Sequence, residues 1–150
     1  MIGLVLVPAA LQALVMLVDE GWYHRRRGLG RWERLGHPVD TLSVAFAYAW
    51  LALHPVASRG ALAVYAGLAV FSSLLVTKDE PVHARECTAG EHWLHALLFV
   101  LHPVVFVAFG ALWWWHPEEL WVVHGQLALT CLLMTYQLVY WSGPWPSRDR

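Results

Sequence analysis

The sequence predicts an all-α integral membrane protein built on five transmembrane helices. Three observations carry that expectation. Of 150 residues, 58% are hydrophobic and 14% charged, where a soluble domain carries roughly 25% charged residues. The apolar residues gather in long runs, and the ionisable ones collect between them. The ten tryptophans exceed what a small soluble core needs and suit the two interfaces of a bilayer. A net charge of −1 offers no bulk attraction for nucleic acid. The basic run Arg25-Arg26-Arg27, with Arg31 and Arg34 beyond it, reads as a topology signal able to meet anionic lipid head groups.

Five apolar runs define the expected spans: Ile2–Val18, Thr41–Ala57, Gly60–Val76, Trp93–Trp115 and Leu120–Trp141. A hydrocarbon core of roughly 30 Å takes about 20 helical residues, with a lower end near 17. The last two runs meet that length, and the first three draw on flanking residues. No run alternates polar and apolar residues as a barrel strand would, and lipid requires the backbone to bond within each segment. The first run has no basic start or small-residue cleavage site, so it reads as a span and not as a secretory leader. Pro8 perturbs the first helix near its start, and Pro55 ends the second. Pro103 kinks or interrupts the fourth. Pro117 suits the first turn of the fifth, followed by Glu118 and Glu119. All 150 residues form a single transmembrane domain, with helices one to four as a bundle.

Five crossings put the termini on opposite sides. Arg25, Arg26, Arg27, Arg31, Arg34, Lys78, Arg85, Arg148 and Arg150 then share the C-terminal side, and Arg59 alone faces the other. The positive-inside rule makes the C-terminal side cytoplasmic and the N-terminus periplasmic, as in a bacterial inner membrane. Trp22, Trp32, Trp93, Trp141 and Trp145 fall toward the cytoplasm, and Trp113, Trp114, Trp115 and Trp121 toward the opposite face. Cys87 lies in a polar connection and Cys131 within a span, so the two do not pair.

The cytoplasmic side holds the chemistry. Helix one ends in Asp19-Glu20 and His24, and helix two is entered through His37 and Asp40. Helix three ends in Lys78-Asp79-Glu80 and His83, and helix four opens on Glu91, His92 and His95. The pairs Glu20/His24 and Glu91/His95 are four residues apart, while His37/Asp40 and Glu80/His83 are three apart; each interval suits one helix face. Converged, these ends offer about four carboxylates and four imidazoles, enough for two divalent ions sharing bridging carboxylates. The expected ligands are Glu20, His24, His37, Asp40, Asp79, Glu80, His83, Glu91 and His95, with Glu20, Glu80 and Glu91 as proton acceptors. Oxygen and nitrogen donors favour iron, with zinc or manganese as alternatives.

Singly, several of these residues also have structural roles. Thr88 to Glu91 and Thr77 to Glu80 fit capping boxes, and Asp40 could cap helix two. The acidic pair at the end of helix one is less easily explained this way, because a helix C-terminus disfavours negative charge. Two short echoes suggest a parallel two-helix repeat: Asp19-Glu20/His24 with Asp79-Glu80/His83, and Leu53-His54-Pro55-Val56 with Leu101-His102-Pro103-Val104.

The paired groups resemble di-metal carboxylate bundles, in which helices contribute Glu and Glu-x-x-His to a shared centre. Their location resembles that of integral-membrane oxygenases and desaturases. Glu20/His24 and Glu91/His95 carry one more intervening residue than the bundle motif, and His92/His95 is only a His-x-x-His fragment of the desaturase boxes. The resemblance implies a di-iron oxidase, hydroxylase or desaturase acting on a lipidic substrate with an electron donor. The alternatives are zinc-dependent hydrolysis, metal binding or transport through His54, His102 and His124, and a haem held by His54 and His102. Cys87 is a further candidate ligand.

Overall fold

A computed structural model describes residues 1–143; Trp145, Arg148 and Arg150 lie outside the described residues. Every regular element among those residues is helical. Helix α1, Ile2–Val18, continues through a π-helical turn, Asp19–His24, and a last turn, Arg25–Arg27. Gly28 ends it at φ 74°, a conformation that a side chain would strain. Helices α2 (Arg31–Leu53) and α3 (Arg59–Leu75) follow, and α3 tightens into a 3₁₀ turn, Val76–Asp79, before the short α4, Glu80–Glu86. Helices α5 (Ala89–Trp115) and α6 (Leu120–Ser142) are joined by Pro117–Glu119.

Among the described residues, four stretches are long and apolar enough to cross a membrane: Ile2–Arg27, Arg59–Glu86, Ala89–Trp115 and Pro117–Ser142. Helix α2 is the fifth long helix. Its first half carries Arg31, Glu33, Arg34, His37 and Asp40, which sets it apart from the other four.

The second helix differs from its expected bounds, beginning at Arg31 and ending at Leu53. Gly30 and Glu33 cap its start, with the Glu33 carboxylate accepting from Gly30 N at 3.2 Å, so Asp40 lies inside the helix and caps nothing. Its end follows from Pro55: His54 is pushed to φ −120°, outside the helical region that a residue before proline avoids. Helix α5 runs through Pro103 without a break. Thr88 caps α5 as expected, accepting from Glu91 N at 3.3 Å. Thr77 instead donates to Leu74 O at 2.7 Å and caps no helix.

The helices form an open arc. Helix α5 packs between α1 and α3, and α2 between α3 and α6, which leaves α1 and α6 at the two free edges. The apolar core sits toward the end where α1 begins, around Tyr48, Leu51, Phe109, Leu112, Trp113 and Val123. Trp113 is wholly buried and donates its indole N–H to His54 O at 2.6 Å. Trp22, Trp93, Trp115 and Trp121 are exposed, as interfacial residues should be.

Polar side chains stitch the arc at mid-depth. Gln12 of α1 donates to His102 Nδ1 at 3.0 Å. His102 Nε2 then faces Ser72 Oγ at 3.0 Å, and Ser72 meets Ser43 at 2.7 Å. Ser43 donates to Asp40 O at 2.6 Å, so one chain of bonds joins α1, α5, α3 and α2. His102 thereby commits both ring nitrogens to protein partners. Its echo, His54, ends a helix and bonds Trp50 O at 2.8 Å. The two copies of that tetrapeptide therefore do different work.

Candidate metal centre

The four polar helix ends meet. His24, His37, His83 and His95 lie together, with ring centroids 4.8 Å apart for His24/His37, 5.9 Å for His24/His95 and 3.6 Å for His83/His95. Asp19, Glu20, Glu33, Asp79 and Glu91 are buried around them.

The π turn explains how one helix end supplies three of these groups. An α-helix sets residues five apart well off one another's face, whereas a π turn closes on the fifth residue. Asp19 and His24 therefore share a face, with Asp19 Oδ2 3.2 Å from His24 Nε2. Glu20 Oε2 lies 3.6 Å from His24 Nδ1 on the other side of the ring. At the matching end of α3 the chain winds the opposite way, into a 3₁₀ turn. Asp79 and His83 still face inward there. Glu80 turns outward and pairs with His92 at 3.2 Å, both side chains more than two-fifths exposed. Glu80 is thus apart from the convergence.

The donor atoms fall into overlapping groups: Asp19, His24, Glu91 and His95; Glu20, His24 and His37; and Glu33, His37 and His83. Around a four-coordinate ion with bonds of about 2.0–2.1 Å, neighbouring ligand atoms lie about 3.3 Å apart. Asp19 Oδ2 is 2.9 Å from His95 Nε2, and Glu91 Oε1 is 3.9 Å from His24 Nε2. Glu20 Oε1 is 3.7 Å from His37 Nδ1. Several of these separations are too long for hydrogen bonds and bracket the edge of a coordination shell.

Two further observations fit cations here. Among the described residues, Asp19 Oδ1, both nitrogens of His24 and His83 Nε2 are buried without a hydrogen-bond partner, as are Asp40 Oδ1 and Glu80 Oε2; such groups ordinarily find one. His95 Nδ1 also lies 2.5 Å from His83 Nδ1, so one of the two rings must carry the proton between them. Charge makes the second case. Six carboxylates (Asp19, Glu20, Glu33, Asp40, Asp79 and Glu91) surround two basic side chains, Arg27 and Lys78. With every carboxylate ionised the excess would be four negative charges, and a buried excess of that size requires compensation. Protons on the imidazoles are the alternative source of positive charge.

The basic residues brace the rim. Arg27 donates to Glu33 at 2.9 and 2.5 Å and to Glu91 at 2.9 Å. Burial opposes ionisation of Glu33, yet the Arg27 guanidinium holds its carboxyl below the usual range. Lys78 bridges Asp40 at 2.5 Å and Asp79 at 2.7 Å. It reaches them across Gly36, where a Cβ would come within 3.0 Å of its ammonium end. Burial raises the Asp40 carboxyl to about 6 despite that partner. Asp40 is thus at the edge of the site and engaged by lysine. Burial also pushes the Cys87 thiol up to about 12, a poor starting point for a thiolate ligand.

No family model matches this chain, and no curated protein or solved structure is significantly similar to it. The function has to be argued from the site itself.

Several residues of the centre were absent from the expected ligand set. Asp19 stood in the acidic pair but outside the ligands. Glu33 repeats the four-residue Glu/His interval with His37, which could have marked it. Gln137 of α6 donates to Glu20 at 2.9 Å and accepts from Thr41 at 2.7 Å. Trp141 donates to Glu20 at 3.1 Å. An amide inside an apolar span is a functional signal by default, whereas nothing in the sequence separates Trp141 from an interfacial tryptophan.

Proposed function

We propose that this is a membrane metalloprotein whose buried histidine–carboxylate cluster holds two divalent ions, iron first, and oxidises a lipidic substrate. The observation that carries the reading is His24. It is 1% exposed, belongs to two donor groups, and has neither ring nitrogen hydrogen-bonded. Asp19, His24, Glu91 and His95 would hold one ion, and Glu20, His37 and the second nitrogen of His24 the other, with Glu33 and His83 beside His37. Iron bound there would supply dioxygen activation with redox change shared between two centres.

The remaining roles belong to the protein's own side chains. Gln137 and Trp141 hold the Glu20 carboxylate from α6, the kind of outer support that fixes a ligand's orientation. Glu20 also lines the central cavity, where it would take or return a proton beside a substrate. Arg27 fixes Glu91 and Glu33. In a hydroxylation, one oxygen atom would enter a C–H bond and the other would leave as water. An external donor would provide two electrons and two protons. A stationary centre is favoured over transport by the wholly buried Phe109, Leu112 and Trp113 at the other end.

Elemental analysis tests the proposal. Protein purified after growth with iron and zinc should carry about two ions per chain, mostly iron when handled without oxygen. Full occupancy by zinc with oxygen-independent turnover would transfer the reading to hydrolysis. Less than about a tenth of an ion per chain after supplementation would remove it.

A further inference from the structure

The polar cluster forms one end of a central cavity of about 590 Å³, within the roughly 300–1,000 Å³ of small-molecule sites. The rest of its wall is largely apolar and runs toward Ala9 and Tyr48. From Ala9 to Glu20 along α1 is about 16 Å at 1.5 Å per residue, room for an extended chain of about a dozen bonds. The cavity lies between α1 and α6, which meet at its polar end, where Gln137 and Trp141 bond Glu20, and have few contacts elsewhere. Leu17, Leu129 and Leu132 line it and are each more than three-fifths exposed, so it opens sideways along an apolar seam.

Arg25 stands at the polar end of that seam. It lines the cavity, bonds Tyr136 Oη at 3.4 Å and lies 5.0 Å from the Tyr140 ring. No carboxylate among the described residues is within ion-pairing distance of it. Its neighbours are engaged elsewhere, Arg26 stacked on Trp22 and Arg27 on Glu33 and Glu91. One exposed guanidinium at the mouth of an apolar slot matches one carboxylate on one alkyl chain. A dianionic phosphate would call for a cluster of bases, and here it would also approach Glu20.

We infer that the seam between α1 and α6 admits a long-chain carboxylate, its head on Arg25 and its chain in the cavity beside the cluster. This names the substrate class of the function proposed above and rests on that reading only for the reaction. The binding site has its own observations.

The test is binding of palmitate, hexadecyl phosphate and hexadecanol to the detergent-solubilised protein at about pH 8, where the carboxylate is ionised, with metal content measured on the same samples. Palmitate should bind about tenfold tighter than hexadecanol, the worth of one charged hydrogen bond. Arg25→Ala should bring the two within about twofold of each other. Ala13→Trp and Thr130→Phe, which place bulk in the cavity from α1 and α6, should each weaken palmitate about tenfold or more while leaving metal in place. Equal affinity of the wild type for palmitate and hexadecanol overturns the inference, as does a preference for hexadecyl phosphate. Undiminished palmitate binding in both bulky variants overturns it as well. Palmitate binding without metal would sink only the metal centre, and metal without palmitate binding only this site.

Discussion

Where α1 begins, the largest fully buried side chains are Trp113, Tyr48, Phe109, Leu51 and Leu112. At the other end they include His24, Glu33 and Glu91. The apolar end closes by packing, which is what holds helices together once lipid surrounds them. The polar end is hollow, and its walls carry buried carboxylates and imidazoles. Stability and chemistry are therefore assigned to opposite ends of the same helices. The stitch from Gln12 through His102 and Ser72 to Ser43 marks the boundary.

The most damaging single change at the polar end is His24→Ala. Because His24 stands in two of the three donor groups, its loss should weaken both ions together. Metal affinity should fall by about 100-fold or more, since even an outer-shell change costs about 10–100-fold. Competition with a chelator of known affinity measures it. Loss of one ion with the other undisturbed would show that the two groups do not share this ring.

The mirror experiment is Trp113→Ala. Removing a wholly buried indole and its bond to His54 O should cost about 3 kcal/mol, read from unfolding in mixed detergent and SDS micelles. Metal content of the folded fraction should not change. A drop in metal alongside the lost stability would mean that the ends are coupled and the division of labour is wrong.

How far the sequence reveals this division differs between the ends. Apolar run length and the segregation of charge suffice to show the helices and to gather the polar groups at one end. Helix winding is what the sequence hides. The α-helical interval of Glu20 and His24 identified that pair, but the π turn that also turns Asp19 inward leaves no periodic trace. The reverse holds for Glu80: its spacing from His83 matches a ligand pair, yet the 3₁₀ turn before it rotates it toward His92. Glu33 is legible by its interval from His37, but its place in a helix is not, because α2 starts earlier than its apolar residues suggest. Gln137 and Trp141 belong to the last helix, and only the tertiary packing reveals that they face Glu20.

His102→Ala tests the boundary. It removes the bonds to Gln12 and Ser72, each worth about 0.6 kcal/mol in a membrane bundle, so a loss of about 1 kcal/mol is expected in the same unfolding measurement. Metal binding should be unaffected, because neither ring nitrogen is available to an ion. A haem or metal signal lost with this histidine would refute the structural role.

The smallest effect concerns Cys87, which is half-buried beside Glu91 and Arg27. A thiol raised to about 12 is protonated through the neutral range, and its thiolate fraction at pH 8 is on the order of 10⁻⁴. A free thiol near the usual value of about 8.5 is about a quarter ionised at that pH. Alkylation of Cys87 should therefore run about a thousandfold slower than that of a model thiol, and faster as pH rises toward 12. Cys87→Ser should keep both ions. Rapid alkylation of the metal-free protein that bound metal then blocks, together with metal loss in Cys87→Ser, would move this thiol into the centre. The charge count at the polar end would then have to include one more anion.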